Sequence, residues 1–243
     1  NMRVALILPS EPVYPGQRVP ITIEWSYAEE FDGVQNLRVR SLLFDHFTFI
    51  DEPVSREDNV LPIWTEQGQL SLKATGTKRT LDGREYIVLV ANRFMLIDRP
   101  GEIDLDPITA NITKVTRWRQ DIFGQRRAVA TTRVRAIGHP QKLVILPLPL
   151  DQAPASYAGA VGRGFTIDVN ADRSVVRVGD PITLALTLRG EGYLERIGLP
   201  SFGTDAGNTD GGLDPKQFRL PDDDVAGTLL ADSDGKQFVI TVR

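Results

Sequence analysis

The fold is decided by residues 4–17, which read VALILPSEPVYPGQ and continue into the alternating run VPITIEW at residues 19–25. Apolar and polar residues alternate in this run, as they do where a β-strand buries one face. The arrangement returns at residues 167–180, IDVNADRSVVRVGD, which can be laid over residues 4–17 without a gap. Each copy has a strand, a short polar break, an apolar pair and a glycine turn, followed by an alternating strand. The pattern predicts two copies of one β unit.

A second match follows in the same order along the chain. Residues 82–90, DGREYIVLV, correspond to residues 234–242, DGKQFVITV. Each begins with an Asp-Gly turn and continues with a cation, a polar residue, an aromatic residue and a β-branched run, which is typical of a hairpin. The 16 prolines and 21 glycines stand at strand-length intervals, and no capped helical pattern exceeds two turns. The sequence therefore predicts an all-β protein built from two tandem Ig-like β-sandwich domains.

The domain boundaries follow from a proline-rich stretch. Residues 146–155, LPLPLDQAPA, contain three prolines and read as a semi-rigid linker. We therefore expect a first sandwich at 1–146, a linker at 147–155 and a second sandwich at 156–243. The first copy continues past residue 90 into further strands, whereas the second ends at Arg243. We expect the second domain to lack its C-terminal strands and the chain to be cut from a longer protein.

Composition excludes several classes of function. The chain has 243 residues, 25% of them charged, and a net charge of −4, which argues against a general nucleic-acid binder. No apolar run approaches the roughly 18 residues of a membrane helix, and no positively charged start followed by an apolar stretch marks a signal peptide. Cysteine is absent and histidine occurs twice, so disulfides and thiolate sites are excluded and acid–base sites are disfavoured. No cofactor is predicted.

The sequence offers little catalytic or metal-binding chemistry. It has no Gly-x-Ser-x-Gly motif, so a hydrolase is the least favoured function. His46 lies in a strand-like run at residues 42–49, and His139 lies in a loop before a proline. The acidic loop 203–224 has oxygen ligands that suit calcium, but its spacing fails the EF-hand pattern, so it either binds calcium or is a solvated or disordered loop. Its candidate ligands are Asp205, Asn208, Asp210 and Asp214. We predict no metal site and no enzymatic activity.

One stretch of the chain is strongly basic. Residues 114–135 contain seven cations against the single acid Asp121. We expect a hairpin with strands at 112–118 and 128–137 and a tip at 120–125. Arginine and aromatic residues together are enriched where proteins bind each other, whereas a charged edge hairpin can also serve only to block aggregation. Contact with anionic lipid is a third possibility. The candidate partner surface comprises Arg117, Trp118, Arg119, Ile122, Phe123, Arg126, Arg127, Arg133 and Arg135.

The order of motifs around the linker resembles the BatD family, the oxygen-tolerance proteins of the Bat operons. The resemblance rests on PASYAGAVG (154–162), FTI (165–167), VRVGDPITL (176–184), RGEGYL (189–194) and LP (199–200). The first copy contributes VYPGQ (13–17), RF (93–94) and PGEI (100–103). The resemblance implies β-sandwich domains on the periplasmic side of an envelope protein anchored to the inner membrane. It also implies von Willebrand A-type membrane proteins as partners, a MoxR-type AAA+ ATPase acting indirectly, and a role in aerotolerance or envelope stress.

Two functions from different classes follow. The first is a non-catalytic periplasmic adaptor that binds partner proteins through sandwich faces or edges. The alternative is a carbohydrate-binding or adhesive surface module, which needs exposed aromatic side chains. Trp25 alternates with a core run and is expected to be buried, which leaves Trp64 and Trp118 for that role.

Overall fold

A computed structural model describes most of the chain and shows an all-β protein. The described residues are 2–29, 33–50, 52–120, 124–153, 157, 159–199, 218–219, 225–230 and 235–243. They divide into two compact units, of which the second comprises Tyr14–Arg18 and Pro147–Arg243. The first comprises the remainder of residues 1–146. A boundary drawn from the sequence alone places Tyr14–Arg18 in the first domain instead.

The first unit is made of eleven strands within its described residues. They are β1 Met2–Ile7, β2 Arg18–Ala28, β3 Val34–Arg40, β4 Thr48–Phe49, β5 Asn59–Thr65, β6 Gly68–Leu81, β7 Arg84–Leu96, β8 Gly101–Leu105, β9 Thr109–Gln120, β10 Arg126–Ile137 and β11 Gln141–Ile145. One sheet has the order β1-β2-β7-β6-β5-β3-β9-β10, with β4 beside β7, and β8 pairs with β11. This sheet curls until β1 lies near β10 and β9.

The second unit has one four-stranded sheet in the part of the chain that is described. Its strands are β12 Thr166–Ala171, β13 Ile182–Arg189, β14 Thr228–Leu229 and β15 Gly235–Val242. Their order, β12-β13-β15-β14, repeats the order β1-β2-β7-β6 of the first unit. Short 3-10 helices occupy Leu150–Gln152 and Leu194–Arg196. The internal repeat of the sequence is therefore a repeat of strand order.

The glycine turns of the two copies share the same hydrogen bonds. The amide of Tyr14 donates to Gln17 Oε1 over 2.8 Å, and the Gln17 amide donates to the Tyr14 carbonyl over 3.3 Å. In the second copy the Arg177 amide donates to Asp180 Oδ2 over 3.1 Å, and the Asp180 amide donates back over 3.0 Å. The third residue of each turn is a glycine, with φ of 88° and 93°. Only glycine adopts such angles without strain, which explains why it recurs.

The strand-like run at residues 42–49 departs from the predicted pattern, because Leu43–His46 form one turn of α-helix. Leu43 and Phe44 are adjacent and both buried, which a strand does not allow since successive side chains point to opposite faces. The Phe44 ring also stacks on Phe49 with the centroids 4.4 Å apart. The prediction of a strand is wrong at these four residues because core packing favours a helical turn.

The two copies differ in how well their first strand is covered. Val4 and Leu6 on β1 are 6% and 5% exposed, whereas Ile167 and Val169 at the matching positions of β12 are 57% and 55% exposed. The β12 residues nevertheless lie opposite the buried Leu188 and Leu186 of β13, so they belong to the core side of their sheet. In the first unit β9 and β10 lie close to β1. The first unit therefore has a covered first strand, whereas the matching residues Ile167 and Val169 of the second unit are more than half exposed.

A buried lysine ties the second sheet to a neighbouring turn. Lys236 is 7% exposed and donates to the carbonyls of Glu195 and Ile197 over 3.0 and 2.7 Å. Its ammonium also lies 5.3 Å from the centroid of the Phe238 ring. Burial lowers the pKa of Lys236 below its ordinary value, because the charged form loses hydration.

The unequal cover predicts unequal sensitivity to the same substitution. Val4→Ala should lower the free energy of unfolding of the first unit by about 2 kcal/mol, since two buried methyl groups are lost and a cavity remains. Val169→Ala should change the second unit by less than about 1 kcal/mol. Peptide-resolved hydrogen exchange in rising denaturant measures both units in one sample. Equal losses of stability at the two positions would contradict the difference in burial between Val4 and Val169.

The lysine predicts a pH dependence. Between its lowered folded pKa and its ordinary value of about 10.5, the unfolded chain binds more protons, so stability rises with pH in that window. Lys236→Met should remove this rise while also lowering stability through the lost hydrogen bonds. Urea unfolding followed by circular dichroism, at about pH 8 and about pH 10, gives the difference for both proteins. An equal pH slope in the variant would show that Lys236 is not the source.

Candidate functional site: a basic hairpin

The basic stretch forms the predicted hairpin. Strands β9 and β10 pair antiparallel from Thr109↔Ile137 to Gln120↔Arg126, and the predicted tip at 120–125 falls partly outside the described residues. Arginine and threonine dominate the exposed positions of both strands, and Ala110, Ile112 and Ala136 fasten the base of the hairpin to the core. Two of the nine candidate residues, Ile122 and Phe123, lie outside the described residues.

Trp118 is packed within the hairpin and is only partly exposed. A Cβ placed on Gly33 would lie 2.6 Å from Trp118 Cζ2 and 3.0 Å from Val115 Cγ2, so the indole rests against the turn before β3. Gly33 has a φ of 73°, and a larger residue there would meet both strain and a clash. The Arg126 guanidinium carbon lies 4.8 Å from the centroid of the Trp118 ring. Trp118 therefore anchors the hairpin.

The hairpin has two basic faces. Trp118 and Val115 both pack on Gly33, so they point to the same side of the sheet. Arg117 and Arg119 flank Trp118 in sequence and consequently point to the other side. Simple alternation would place Arg117 on the side of Val115, but the ladder is irregular here. Between Thr131↔Val115 and Ala128↔Trp118 only Ala130↔Arg117 is paired, so Arg117 takes the opposite side.

The second pair of arginines lies on the Trp118 side. Val115 is opposite Thr131, and Arg133 and Arg135 follow Thr131 at alternate positions. This side faces away from the core, which is contacted by Ala110 and Ile112. Sequence alternation alone places Arg117 with Arg119 and Arg133 with Arg135, and it leaves open whether the pairs share a side. The structure separates them.

Several of these arginines lack acidic neighbours. Within the described ranges, no carboxylate lies within salt-bridge distance of Arg117, Arg119, Arg133 or Arg135. Arg119 is moreover the direct cross-strand partner of Arg127. Like charges at such positions destabilise a sheet by roughly 0.2–1 kcal/mol. Arg117, Arg119, Arg133 and Arg135 thus have no carboxylate partner among the described residues, which is the arrangement that an anionic partner needs.

The structure adds basic residues that the sequence stretch does not contain. Strand β3 pairs with β9, which brings Arg38 opposite Asn111 and Arg40 opposite Thr109. Arg38 stacks on Trp64 with its guanidinium carbon 4.6 Å from the ring centroid. Arg38 and Arg40 lie about seventy positions before β9, and Trp64 lies on β5, so their proximity to the hairpin is set by tertiary pairing. No local sequence signal could have identified them.

The other candidate sites of the sequence are the two histidines and the acidic loop. His46 and His139 are both exposed. Among the residues with described positions, no group of three or more His, Asp or Glu side chains could hold a metal ion. The candidate calcium ligands Asp205, Asn208, Asp210 and Asp214 lie outside the described residues. None of the helices in the described part reaches the length and hydropathy that a membrane span requires.

The tryptophans bear on the carbohydrate alternative. Trp25 is buried, as predicted, and its ring lies 4.8 Å from that of Tyr27. Trp64 and Trp118 are each only partly exposed, and each has an arginine guanidinium over its ring. A sugar would have to displace that guanidinium in order to stack on the covered face of either ring.

The like-charge pair predicts a stabilising substitution. Arg119→Glu should raise the free energy of unfolding of the first unit by about 0.5 kcal/mol, because an attraction to Arg127 replaces a repulsion. Arg117→Glu is the matched control, since its partner is Ala130 and the substitution gains no such contact. Denaturant unfolding followed by tryptophan fluorescence reports the first unit alone, because all three tryptophans belong to it. A larger gain for Arg117→Glu would refute the cross-strand explanation.

Comparison of the chain with protein-family models, with curated proteins and with solved structures found no match. The resemblance to the BatD family therefore rests on the motifs of the sequence, chiefly those at residues 154–200, and stays a prediction.

Proposed function

We propose that the chain is a non-catalytic protein-interaction module, and that the basic hairpin β9–β10 is its main binding surface. The observation that carries the proposal is the presence of four exposed arginines, two on each face, that have no carboxylate partner among the described residues. Arginine at the centre of an interface contributes strongly to binding because its planar guanidinium forms bidentate hydrogen bonds and stacks on aromatic rings.

The architecture supports the same function. We propose that each copy of the repeated strand order belongs to an Ig-like sandwich and that the two sandwiches follow in tandem along the chain. Such domains present faces and edges to partners, and their function resides in the sites that these surfaces carry. The hairpin then belongs to the first domain as an addition to its repeated core.

The resemblance to the BatD family supplies a setting. In it the chain is the periplasmic region of a protein anchored to the inner membrane, linked to aerotolerance or envelope stress. Its direct partners are von Willebrand A-type membrane proteins, and a MoxR-type AAA+ ATPase acts through them. A carbohydrate-binding module remains the second function, but the covering of Trp64 and Trp118 by arginines favours a protein partner.

The test is capture of a von Willebrand A-type protein from an envelope extract of the source organism, with the captured proteins identified by mass spectrometry. Wild-type chain should capture it, and at least one of two variants should not. One variant carries Arg117→Glu and Arg119→Glu, and the other carries Arg133→Glu and Arg135→Glu. We expect a loss of at least tenfold, because each changed residue turns an attraction into a repulsion.

The matched control carries Arg173→Glu and Arg177→Glu, two exposed positions in the second unit with the same change in net charge. It should capture as wild type does. Equal capture by all variants would show that the hairpin is only a solvated edge. Absence of capture by the wild-type chain and by the complete periplasmic region would refute the adaptor function.

A further inference from the structure

We infer that a groove on the outer face of β3, β9 and β10 binds an extended acidic segment of a partner protein, in which carboxylates occur at alternate positions. The inference rests on the proposed function, because it names the partner chemistry of the same surface. The groove has a volume of about 550 Å³, which accommodates a few side chains. Its lining comprises Asn36, Arg38, Asn111, Thr113, Arg133 and Arg135, with parts of Ile112 and Val134.

The floor of the groove is a row of donors across three strands. Arg38 on β3 is opposite Asn111 on β9, and Asn111 is opposite Arg135 on β10. Since neighbouring strands lie about 4.8 Å apart, the two arginines stand about 10 Å apart with an amide side chain between them. A carboxylate placed over Asn111 is therefore within reach of both guanidinium groups, each of which donates two parallel hydrogen bonds.

Along β10, the distance between successive arginines sets the spacing of the acidic side chains in the ligand. Arg133 and Arg135 are two residues apart on β10 and point to the same side, so their Cα atoms are separated by about 7 Å. Side chains at positions i and i+2 of an extended peptide have the same spacing and also share a side. Two acidic residues separated by one residue thus meet the two arginines in register.

The side chains of the groove are preorganised to bind anions. No Asp or Glu is found among its lining residues in the described part of the chain. The stacking of Arg38 on Trp64 restrains the guanidinium, so less side-chain entropy is lost when it binds. Asn36 has a φ of 53° at the irregularity where β3 and β9 lose register, and such an irregularity bends the strand beside the groove.

An extended peptide fits better than a small anion because the basic surface is long. A neighbouring hollow of about 420 Å³ shares Arg135 and adds Arg40 and Thr109, with Asp106 at its rim. The two hollows together follow the direction of the strands. β10 is also the last strand in the order of its sheet, so the groove lies at the end of that order.

Fluorescence anisotropy with labelled synthetic peptides tests the inference on the whole chain. The first peptide alternates Glu with Thr, the second alternates Gln with Thr, and the third has the composition of the first with its Glu residues consecutive. We expect the alternating Glu peptide to bind at least about tenfold more tightly than either of the others. Equal binding of the two Glu peptides would overturn the inference, because it would show attraction to charge without register.

Variants locate the binding. Arg133→Gln with Arg135→Gln should weaken the alternating peptide at least about tenfold. Arg117→Gln with Arg119→Gln removes the same charge from the opposite face and should weaken it less than about twofold. Comparable losses in both variants would overturn the groove as the site. Inorganic phosphate and vesicles of anionic lipid serve as competing probes. If either probe binds through Arg133 and Arg135 while the peptide does not bind, the groove is a phosphate site and the inference is overturned.

The failure of the inference is distinguishable from the failure of the proposed function. If the alternating peptide does not bind while capture of the envelope partner is lost only with Arg117→Glu and Arg119→Glu, the module function stands and the groove inference is wrong. If the peptide binds through Arg133 and Arg135 while the chain and the complete periplasmic region capture no partner, the groove is a real acidic-peptide site and the proposed adaptor function is wrong.

Discussion

A β-sheet buries a face only when a second layer lies on it, and this constraint governs both units of the chain. In the first unit the long sheet curls until β9 and β10 approach β1, so Val4 and Leu6 are shielded from water. The hairpin therefore has a structural role at its base, where Ile112 and Ala136 enter the core. The outer half of the hairpin is mostly exposed and contributes little to the core, so arginines can accumulate there without loss of the fold.

In the second unit the same strand order occurs with a first strand that is much less buried. Its four strands keep the order of the first copy, and Phe238 is buried as Tyr86 is at the matching position. Yet Ile167 and Val169 remain more than half exposed, although they lie on the core side of the sheet. Local pattern and turn chemistry are thus sufficient for strand pairing, whereas burial depends on what else packs on the sheet.

Much of the fold could be predicted because its signals are local. Strand alternation, the Asp82-Gly83 turn and the repeated glycine turn each depend on residues a few positions apart, and each is found where the sequence indicates. The helical turn at Leu43–His46 could not be predicted from local signals, because it arises from the need to bury two adjacent side chains. The contribution of β3 to the basic surface could not either, since Arg38 reaches Asn111 through a pairing between distant segments.

The irregularity in the β9–β10 ladder matters more than its size suggests. In a regular ladder, Arg117 and Arg119 would continue the side of Val115 and would stand with Arg133 and Arg135, because alternate residues share a side. All the uncompensated arginines would then face one another across a single surface, with repulsion that grows as each is desolvated by a partner. The shift at Ala130↔Arg117 moves one pair to the other side. Each face then carries a small, separated set of cations, which is enough to bind an anionic partner and few enough that the hairpin remains stable when the partner is absent.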